Sequence, residues 1–403
     1  MGSDSTLIHP VEGVRLATAA SAARYQGRAD LALIEICAEG NVAAVFTRNA
    51  FCAAPIQLAR EHLYKASPRY LLINSGQANA GTGEAGLEDA RKCCQIVAEL
   101  AETEVESILP FSTGVIGERL AMEQIQFALP SLFSDLDPDH WRDAADAIRT
   151  TDTVAKIASR RVQIEGEWVT VTGIAKGSGM ICPDMATMLA FVATDAEIPH
   201  SLLQGCLKSA VDQSFNRITV DGDTSTNDAC VLIATGSSRA PVVGKKTNSL
   251  QKEVQLTIEA VFEDLAKAIV RDGEGATKLV AVHVSGGKTR QECRSVAYTI
   301  AHSPLVKTAL FAEDPNWGRL LAAIGRADIE HLDICGVQIY LDDVCIVRGG
   351  ERAPDYEESR AAEVLRRNEY EIQVRLGRGD SSETIWTCDL SYEYVRINAE
   401  YRS

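Results

Sequence analysis

The chain has 403 residues, of which 46% are hydrophobic and 24% charged, as expected of a globular protein with a substantial core. Its formal net charge of −16 argues against nucleic acid as a partner, because binding a polyanion needs concentrated positive charge. No run of about 18 apolar residues occurs, and the first residues lack the basic and apolar regions of a secretory signal, so neither a membrane span nor secretion is expected.

The predicted elements mix helices and strands along the whole chain and indicate an α+β protein. Apolar spacing and turn residues predict, in chain order, a helix over 84–101, a hairpin over 161–172 around Glu165-Gly166, a helix over 248–270, a strand over 279–284, a hairpin over 337–347 around Asp342-Asp343, a helix over 356–367, and strands over 371–376 and 383–389.

The most informative segment runs from Lys176 to Thr187 and precedes an apolar stretch over 188–193. Its glycines give flexible backbone around a lysine, and its end places Thr187 after the small residue Ala186. Attack of the Thr187 hydroxyl on the Ala186 carbonyl, followed by hydrolysis of the ester, would break the chain here. Thr187 would then carry a free α-amine, which can serve as the general base for its own hydroxyl. A structural turn before a buried strand is the alternative interpretation.

The stretch from Lys176 to Phe191 closely resembles the processing segment of the glutamate N-acetyltransferases of arginine biosynthesis, also called ornithine acetyltransferases. Other stretches resemble signatures of this family, in the family's order: 44–49, 74–80, 112–117, 150–153, 214–216, 221–228, 272–278, 314–319 and 394–403. The chain departs from the family pattern at Cys182 and Asp184, at Gln77, and at its final Ser403, where the family more often has threonine.

The resemblance implies a fold of two sheets sandwiched between helix layers, an αββα-like arrangement similar to the N-terminal-nucleophile hydrolases but with distinct connectivity. It also implies self-cleavage between Ala186 and Thr187. The α fragment, 1–186, and the β fragment, 187–403, are then expected to stay together as an assembly of two copies of each, or a larger one.

The resemblance assigns roles to individual residues as well. Thr187 matches the nucleophile, and Thr113 and Gly114 match the oxyanion-hole loop, where a hydroxyl and an N–H can stabilise a tetrahedral intermediate. The residues that match substrate-binding positions are Thr150 (with Thr151 and Thr153 as alternatives), Lys176, Thr187, Glu274, Asn398 and Ser403. Such a set suits an amino acid, because a cation can meet its carboxylate and an anion its ammonium group.

The implied activity is acetyl transfer from N-acetylornithine to glutamate through an acyl-enzyme, by a ping-pong mechanism that needs no cofactor. Three alternatives stay open. A paralogue would use another acyl donor or acceptor, a bifunctional relative would also accept acetyl-CoA as donor, and an unprocessed relative would be a binding or structural protein.

The cysteines and histidines do not predict a metal site. The eleven cysteines are odd in number and form no C-x-x-C pair, which indicates reduced thiols in a cytoplasmic protein. The seven histidines form no H-x-x-x-H or H-E-x-x-H pattern. The acidic loop 221–228 has Leu232 where a calcium loop has its closing glutamate, so it is interpreted as a structural turn near the active site.

Overall fold

The computed structural model describes residues 7–182, 188–244 and 248–400. The chain forms two compact units. Unit 1 comprises Met1–Asn216 and Thr224–Ile269, and unit 2 comprises Arg217–Asp223 and Val270–Ser403. Within the described ranges, every helix is too short or too polar to cross a lipid bilayer.

The helices and strands follow one another along the whole described chain. The strands are β1 (Val14–Ala19), β2 (Leu31–Ile36), β3 (Asn41–Phe46), β4 (Tyr70–Gln77), β5 (Ile108–Val115), β6 (Lys156–Ile164), β7 (Glu167–Lys176), β8 (Leu189–Thr194), β9 (Ile218–Thr219), β10 (Ala229–Ala234), β11 (Leu279–Gly287), β12 (Gln338–Leu341), β13 (Val344–Arg348), β14 (Glu351–Arg352), β15 (Glu369–Arg375) and β16 (Ser381–Cys388). The α-helices are α1 (Ala54–Lys65), α2 (Gly83–Ala101), α3 (Met122–Ser134), α4 (Trp141–Ala147), α5 (His200–Gln213), α6 (Asn248–Arg271), α7 (Arg290–Ala301), α8 (Pro304–Phe311), α9 (Trp317–Gly325), α10 (Glu358–Leu365) and α11 (Tyr392–Glu400).

Unit 1 is built on two sheets that face each other across a shared core. One sheet has the order β1-β2-β4-β5 and the other the order β3-β10-β8-β7-β6. Alternate side chains of both sheets point into one apolar cluster, in which Phe111 of β5 and Phe191 of β8 meet edge to face at 5.1 Å. This burial of two apolar sheet faces against each other holds the unit together.

Helices cover the outer faces of both sheets in unit 1. Leu33 and Leu72 point away from the shared core and pack with Cys94 of α2 and Leu129 of α3. On the other sheet, Gly173 of β7 admits Leu265 of α6, because a Cβ at Gly173 would lie 3.2 Å from the leucine Cδ1. Helix α5 packs on β3 and β10. The expected layering of two sheets between helices is therefore confirmed in unit 1.

Unit 2 contains a third sheet that the sequence did not predict. Its seven strands have the order β14-β13-β12-β15-β11-β16-β9. Val280, Val282 and Val284 of β11 are fully buried at alternate positions and pack with α7. Strand β11 runs parallel to β15 and antiparallel to β16, so its partners lie about 90 to 110 residues away in sequence. Such distant pairings are not visible in local periodicity.

The locally predicted elements are confirmed with small shifts at their ends. Helices α2 and α6 match the predicted ranges, and α10 is shorter than predicted. Both hairpins form with the predicted turns. Glu165 and Gly166 have φ values of 49° and 91°, and Asp342 has a φ of 46°, as tight two-residue hairpin turns require.

Candidate active site

The segment predicted to form the oxyanion hole lies at the end of β5, where this strand runs parallel to β4. Thr113 is buried, and Gly114 pairs with Gly76 of β4 beside a register shift. The two backbones approach so closely that a Cβ on Gly114 would lie 2.2 Å from the carbonyl carbon of Gly76. Gly114 also has a φ of 133°, which residues with a side chain rarely adopt. The position therefore requires glycine, and this close approach fixes the peptide between Thr113 and Gly114.

The residues from 224 to 228, called the 224–228 loop, hold this strand from one side. Asn227 is buried and donates from Nδ2 to the carbonyl oxygens of Ser112 at 2.9 Å and Ala78 at 2.6 Å. Its own Oδ1 accepts from the Thr226 hydroxyl at 2.6 Å. One amide side chain thus links the loop to β5 and to the segment after β4.

The 224–228 loop and the first residue of β10 contact the chain on the two sides of the predicted cleavage segment. Thr224 Oγ1 donates to the carbonyl oxygen of Cys182 at 3.2 Å. Ala229, which directly follows the loop, donates its N–H to the carbonyl oxygen of Met188 at 2.9 Å. Cys182 and Met188 are the described residues on either side of 183–187. Ala186 and Thr187 lie outside the described residues, as does Ser403 at the end of the chain.

Two of the predicted substrate-binding residues are joined by a carboxylate that the sequence analysis did not single out. Asp152 is buried, and its Oδ1 accepts from Lys156 Nζ at 2.6 Å and from the Gly177 N–H at 2.7 Å. Its Oδ2 accepts from the Thr150 N–H at 3.1 Å. Both side chains of the Asp152–Lys156 ion pair are completely inaccessible to solvent. The carboxylate thereby fixes Thr150 and the backbone that follows Lys176.

Lys176 acts on the ionisation of two buried carboxyl groups. Burial alone would raise the pKa of Asp152. The charges of Lys176 and Lys156, with hydrogen bonds from Lys156 and from the Gly177 N–H, outweigh burial and hold that pKa well below its ordinary value. For Asp228 the balance is reversed. Complete burial raises its pKa well above the ordinary value, although hydrogen bonds from Ser225 and the charge of Lys176 oppose this. At neutral pH, Asp152 is therefore ionised.

In unit 2 the structure brings Glu274 and Asn398 together. Asn398 Nδ2 donates to Glu274 Oε2 at 2.8 Å and to the carbonyl oxygen of Tyr394 at 3.0 Å. Gly275 permits this contact, because a Cβ there would lie 2.5 Å from the Tyr394 nitrogen. Asn398 is exposed, whereas Glu274 is only 8% exposed. A buried carboxylate with an amide beside it is suited to bind an ammonium group.

The surroundings of Glu274 are negative. Burial, followed by the carboxylates of Asp221, Glu274 and Asp223, raises the pKa of the Tyr394 phenol. The chain shortly after Glu274 is held by Asp389, whose carboxylate accepts from the N–H groups of Thr277 and Lys278 at 2.8 and 2.9 Å. Three carboxylates near one phenol favour a cationic ligand over an anionic one.

The sequence analysis missed four side chains that organise unit 1: Asp152, Lys156, Asn227 and Asp228. Asp152 lies in the 150–153 signature, where only the threonines were considered. Asn227 and Asp228 lie in the acidic loop, which was interpreted as a turn and does contact the predicted oxyanion strand. Across the part of the chain that the structure describes, no three His, Cys, Asp or Glu side chains are grouped as a metal site would require.

Comparisons with known proteins identify a family over nearly the whole length. The model of the ArgJ family matches residues 15–403. A protein of Methylococcus capsulatus named arginine biosynthesis bifunctional protein ArgJ is 56% identical over 394 residues, which cover 98% of this chain and 96% of that protein. A protein of the same name from Pseudomonas fluorescens is 52% identical over 98% of both chains.

A solved structure of a protein with the same family name also matches this chain. The crystal structure of the arginine biosynthesis bifunctional protein ArgJ from Bacillus halodurans matches with 42% identity and a TM-score of 0.51. The match covers 53% of this chain and 100% of that one. The solved chain therefore has about half the length of this chain.

We expect Asp152→Asn to lower the free energy of unfolding by about 3–5 kcal/mol, because it removes the carboxylate from a buried lysine. Thermal unfolding at pH 7 measures the loss. Because the pKa of Asp152 is held below its ordinary value of 3.8, its contribution is present above that pH and is lost as the pH falls further. The difference in the free energy of unfolding between the wild type and Asp152→Asn should therefore become smaller in acid.

The matched control is Asp264→Asn, which removes an exposed pair with Arg160 at 2.6 Å and should cost no more than about 1 kcal/mol. Equal losses in the two variants would contradict the structural role assigned to Asp152.

If Gly114 forms the predicted oxyanion hole, Gly114→Ala is expected to lower the rate of acetyl transfer by about a hundredfold, because displacing such a donor has a cost of this order. The control is Gly117→Ala in the same segment. Gly117 also has a positive φ, of 87°, but nothing lies within 4 Å of its Cβ position. Steady-state rates and unfolding temperatures of the two variants distinguish two causes of a lower rate, the close approach of Gly114 to Gly76 and the strain of a positive φ. Similar rates in both variants would refute the argument.

Proposed function

Because the chain belongs to the ArgJ family, we propose that it is an acetyltransferase of arginine biosynthesis, which moves an acetyl group from N-acetylornithine to glutamate. The observation that carries this proposal is the family match over residues 15–403, together with relatives of more than 50% identity that bear the ArgJ name. The products are ornithine and N-acetylglutamate.

The active form arises by self-cleavage between Ala186 and Thr187. The Thr187 hydroxyl attacks the Ala186 carbonyl, the peptide becomes an ester, and water then releases the two fragments. The half-length chain of the Bacillus halodurans structure supports such a division. The hydrogen bonds of Thr224 to Cys182 and of Ala229 to Met188 support a fixed position of the chain on both sides of the bond.

In the first half-reaction, the free α-amine of Thr187 takes the hydroxyl proton while the oxygen attacks the acetyl carbonyl of N-acetylornithine. The Thr113 hydroxyl and the Gly114 N–H stabilise the negative charge on the carbonyl oxygen. The buried position of Thr113 and the fixed backbone of Gly114 support this role, because preorganised donors need not reorient as the charge develops. The C–N bond then breaks, and ornithine leaves with the proton.

In the second half-reaction, the amine of glutamate attacks the acetyl ester, and the Thr187 oxygen recovers its proton. Lys176 binds the substrate carboxylate, Thr150 and Ser403 donate hydrogen bonds, and Glu274 with Asn398 binds an ammonium group. The ionised Asp152 supports the first of these assignments, because it fixes the backbone on which Thr150 and Lys176 lie. The negative surroundings of Glu274 support the last. No cofactor takes part in this scheme.

We also propose a cytoplasmic location and an assembly of two α and two β fragments. The cysteines of the described residues are reduced thiols, which supports a reducing compartment.

Acetyl-CoA as an additional donor is the second candidate activity. The relatives are named bifunctional, and this name favours a second activity over a single one. The two experiments below would also detect the remaining alternatives, which are a paralogue with a different acceptor and an unprocessed binding protein.

We expect the purified protein to consist of two fragments, 1–186 and 187–403, and Thr187→Ala to remain a single chain of 43.5 kDa. The reason is that alanine lacks the attacking hydroxyl. Thr187→Ser keeps a hydroxyl and should still be cut. Intact-mass spectrometry identifies the bond, and native mass spectrometry counts the fragments in the assembly. An uncut wild-type chain would exclude this mechanism and favour the binding protein.

We expect incubation with N-acetylornithine alone to add one acetyl group to the 187–403 fragment, and glutamate to remove it. Glu274→Gln should raise the KM for N-acetylornithine about tenfold or more, since a charge-assisted hydrogen bond contributes about 1.5–3 kcal/mol. Glu393→Gln, at an exposed position, is the control. Transfer to another amino acid in preference to glutamate would indicate a paralogue, and acetylation by acetyl-CoA would establish the second donor.

A further inference from the structure

The 20–30 loop, which joins β1 to β2 in unit 1, has no part in the scheme above, although it reaches the strand beside β5. A Cβ on Gly76 of β4 would lie 3.0 Å from the Cβ of Arg24 and 3.3 Å from Cε2 of the Tyr25 ring. Gly76 is also the residue that pairs with Gly114. The loop therefore packs on the backbone that holds the predicted oxyanion hole.

Asp30, at the end of this loop, ties the loop to β4. Its carboxylate is buried and accepts from the N–H of Ser21 at 2.6 Å and from the Ser21 hydroxyl at 2.9 Å. Its carbonyl oxygen accepts from the N–H of Ser75, the residue before Gly76, at 2.8 Å. Because both ends of the loop are joined through one side chain, the residues between them are held at a defined place on the strand.

Arg28 links the same loop to the turn that carries Thr150. Its guanidinium carbon lies 3.8 Å from the centroid of the Tyr25 ring, in a stacked cation–π contact. Its Nη2 donates to the carbonyl oxygen of Arg149 at 2.6 Å. Asp152 accepts from the N–H of Thr150, at the other end of the same peptide bond. Both polar atoms of the peptide between Arg149 and Thr150 are therefore held.

The environment of Arg28 favours a role other than stabilisation. Its Nε is buried and, within the described ranges, has no hydrogen-bond partner. An unsatisfied buried donor lowers stability, so a side chain that only stabilised the loop would gain nothing from it. Burial raises the pKa of the Tyr25 phenol, although the charges of Arg28 and Arg24 oppose this. Tyr25 is therefore neutral near pH 7, and its ring is a suitable surface for a guanidinium group.

The chemistry of the substrate shows why these contacts matter. In N-acetylglutamate, only the α-carbon and the nitrogen separate the α-carboxylate carbon from the acetyl carbonyl carbon. The groups that bind the carboxylate, Thr150 and Lys176, must therefore lie at one short spacing from the oxyanion-hole groups, Thr113 and Gly114. A displacement of about 1 Å between groups of this kind can lower a rate about a hundredfold.

We propose that Tyr25 and Arg28 are positioning residues for acetyl transfer, an inference that rests on the proposed function. The Tyr25 ring supports Gly76 and, through it, the backbone of Gly114. Arg28 stacks on that ring and holds the peptide before Thr150. The pair thereby sets the spacing between the oxyanion hole and the carboxylate-binding residues, and this spacing favours acceptors whose amine lies next to a carboxylate.

The experiment compares two acceptors of the acetyl group. Protein acetylated with N-acetylornithine is mixed with glutamate or with hydroxylamine, and intact-mass spectrometry follows the loss of the acetyl group from the 187–403 fragment. Hydroxylamine is a small nucleophile without a carboxylate, and it leaves as acetohydroxamate. Its reaction therefore needs the oxyanion hole but not the spacing to Thr150.

We expect Tyr25→Ala to lower the ratio of the glutamate rate to the hydroxylamine rate about tenfold, because the acceptor carboxylate is no longer held at the right distance. Arg28→Met removes the donor to Arg149 but keeps an unbranched side chain, and it should change the ratio in the same direction. Tyr25→Phe keeps the ring and should retain the wild-type ratio. A merely structural role would lower both rates by the same factor.

The matched control is Trp168→Ala in the hairpin of β6 and β7. Arg161 lies 4.7 Å from the centroid of the exposed Trp168 ring, so this variant also removes a stacked pair of an arginine and an aromatic ring from unit 1. We expect the wild-type ratio in this control. Unfolding temperatures of all variants show whether the fold is kept. If Tyr25→Ala does not fold, Arg28→Met decides.

Two results would overturn the proposal. A wild-type ratio in folded Tyr25→Ala or Arg28→Met, or a loss in Tyr25→Phe equal to that in Tyr25→Ala, would exclude the positioning role while leaving acetyl transfer intact. A wild-type protein that takes no acetyl group from N-acetylornithine would overturn the proposed function together with this inference.

Discussion

The buried Asp152 carboxylate has to be satisfied completely, because an ionised group removed from water is stable only when it is paired and hydrogen-bonded. Lys156 supplies the charge, and the N–H groups of Thr150 and Gly177 supply the other two donors. These partners come from the turn before β6, from β6 and from the end of β7. The hydrogen bonds and the ion pair of this one carboxylate therefore fix three segments, and these segments carry Thr150 and Lys176.

Backbone geometry provides the second fixed point of unit 1. Gly114 and Gly76 approach closely because neither has a side chain, and Asn227 fastens the same strand through Ser112. The two glycines have no side chain to move, and the Asn227 amide is already hydrogen-bonded to backbone carbonyl groups, so neither constraint has to rearrange during a reaction. Preorganisation of this kind is what oxyanion stabilisation needs, since donors that are already in place cost no reorganisation when charge develops.

Local sequence signals predicted much of this fold. They did not predict which acidic residues are buried or which strands pair across long separations in the sequence. The apolar spacing of α6 and the Glu165-Gly166 turn are properties of neighbouring residues, and both were found. The sheet of unit 2 depends on the pairing of β11 with strands about 90 to 110 residues away, which the local spacing of apolar residues does not reveal. For the site, the resemblance gave Thr113, Gly114 and Lys176 by position. Asp152 and Asp228 were missed because an acidic residue in a polar stretch is usually solvated, and only the structure shows that these two are buried.

The proposed cut does not coincide with the division into two units, and this explains how the fragments would stay together. The α fragment contributes β3, β6 and β7 to the five-stranded sheet of unit 1, whereas the β fragment contributes β8 and β10. The latter two are central strands, paired with β7 on one side and with β3 on the other. Separating the fragments would break both ladders and expose the core around Phe191. The proposed cleavage would therefore leave the five-stranded sheet of unit 1 with all of its strands still paired.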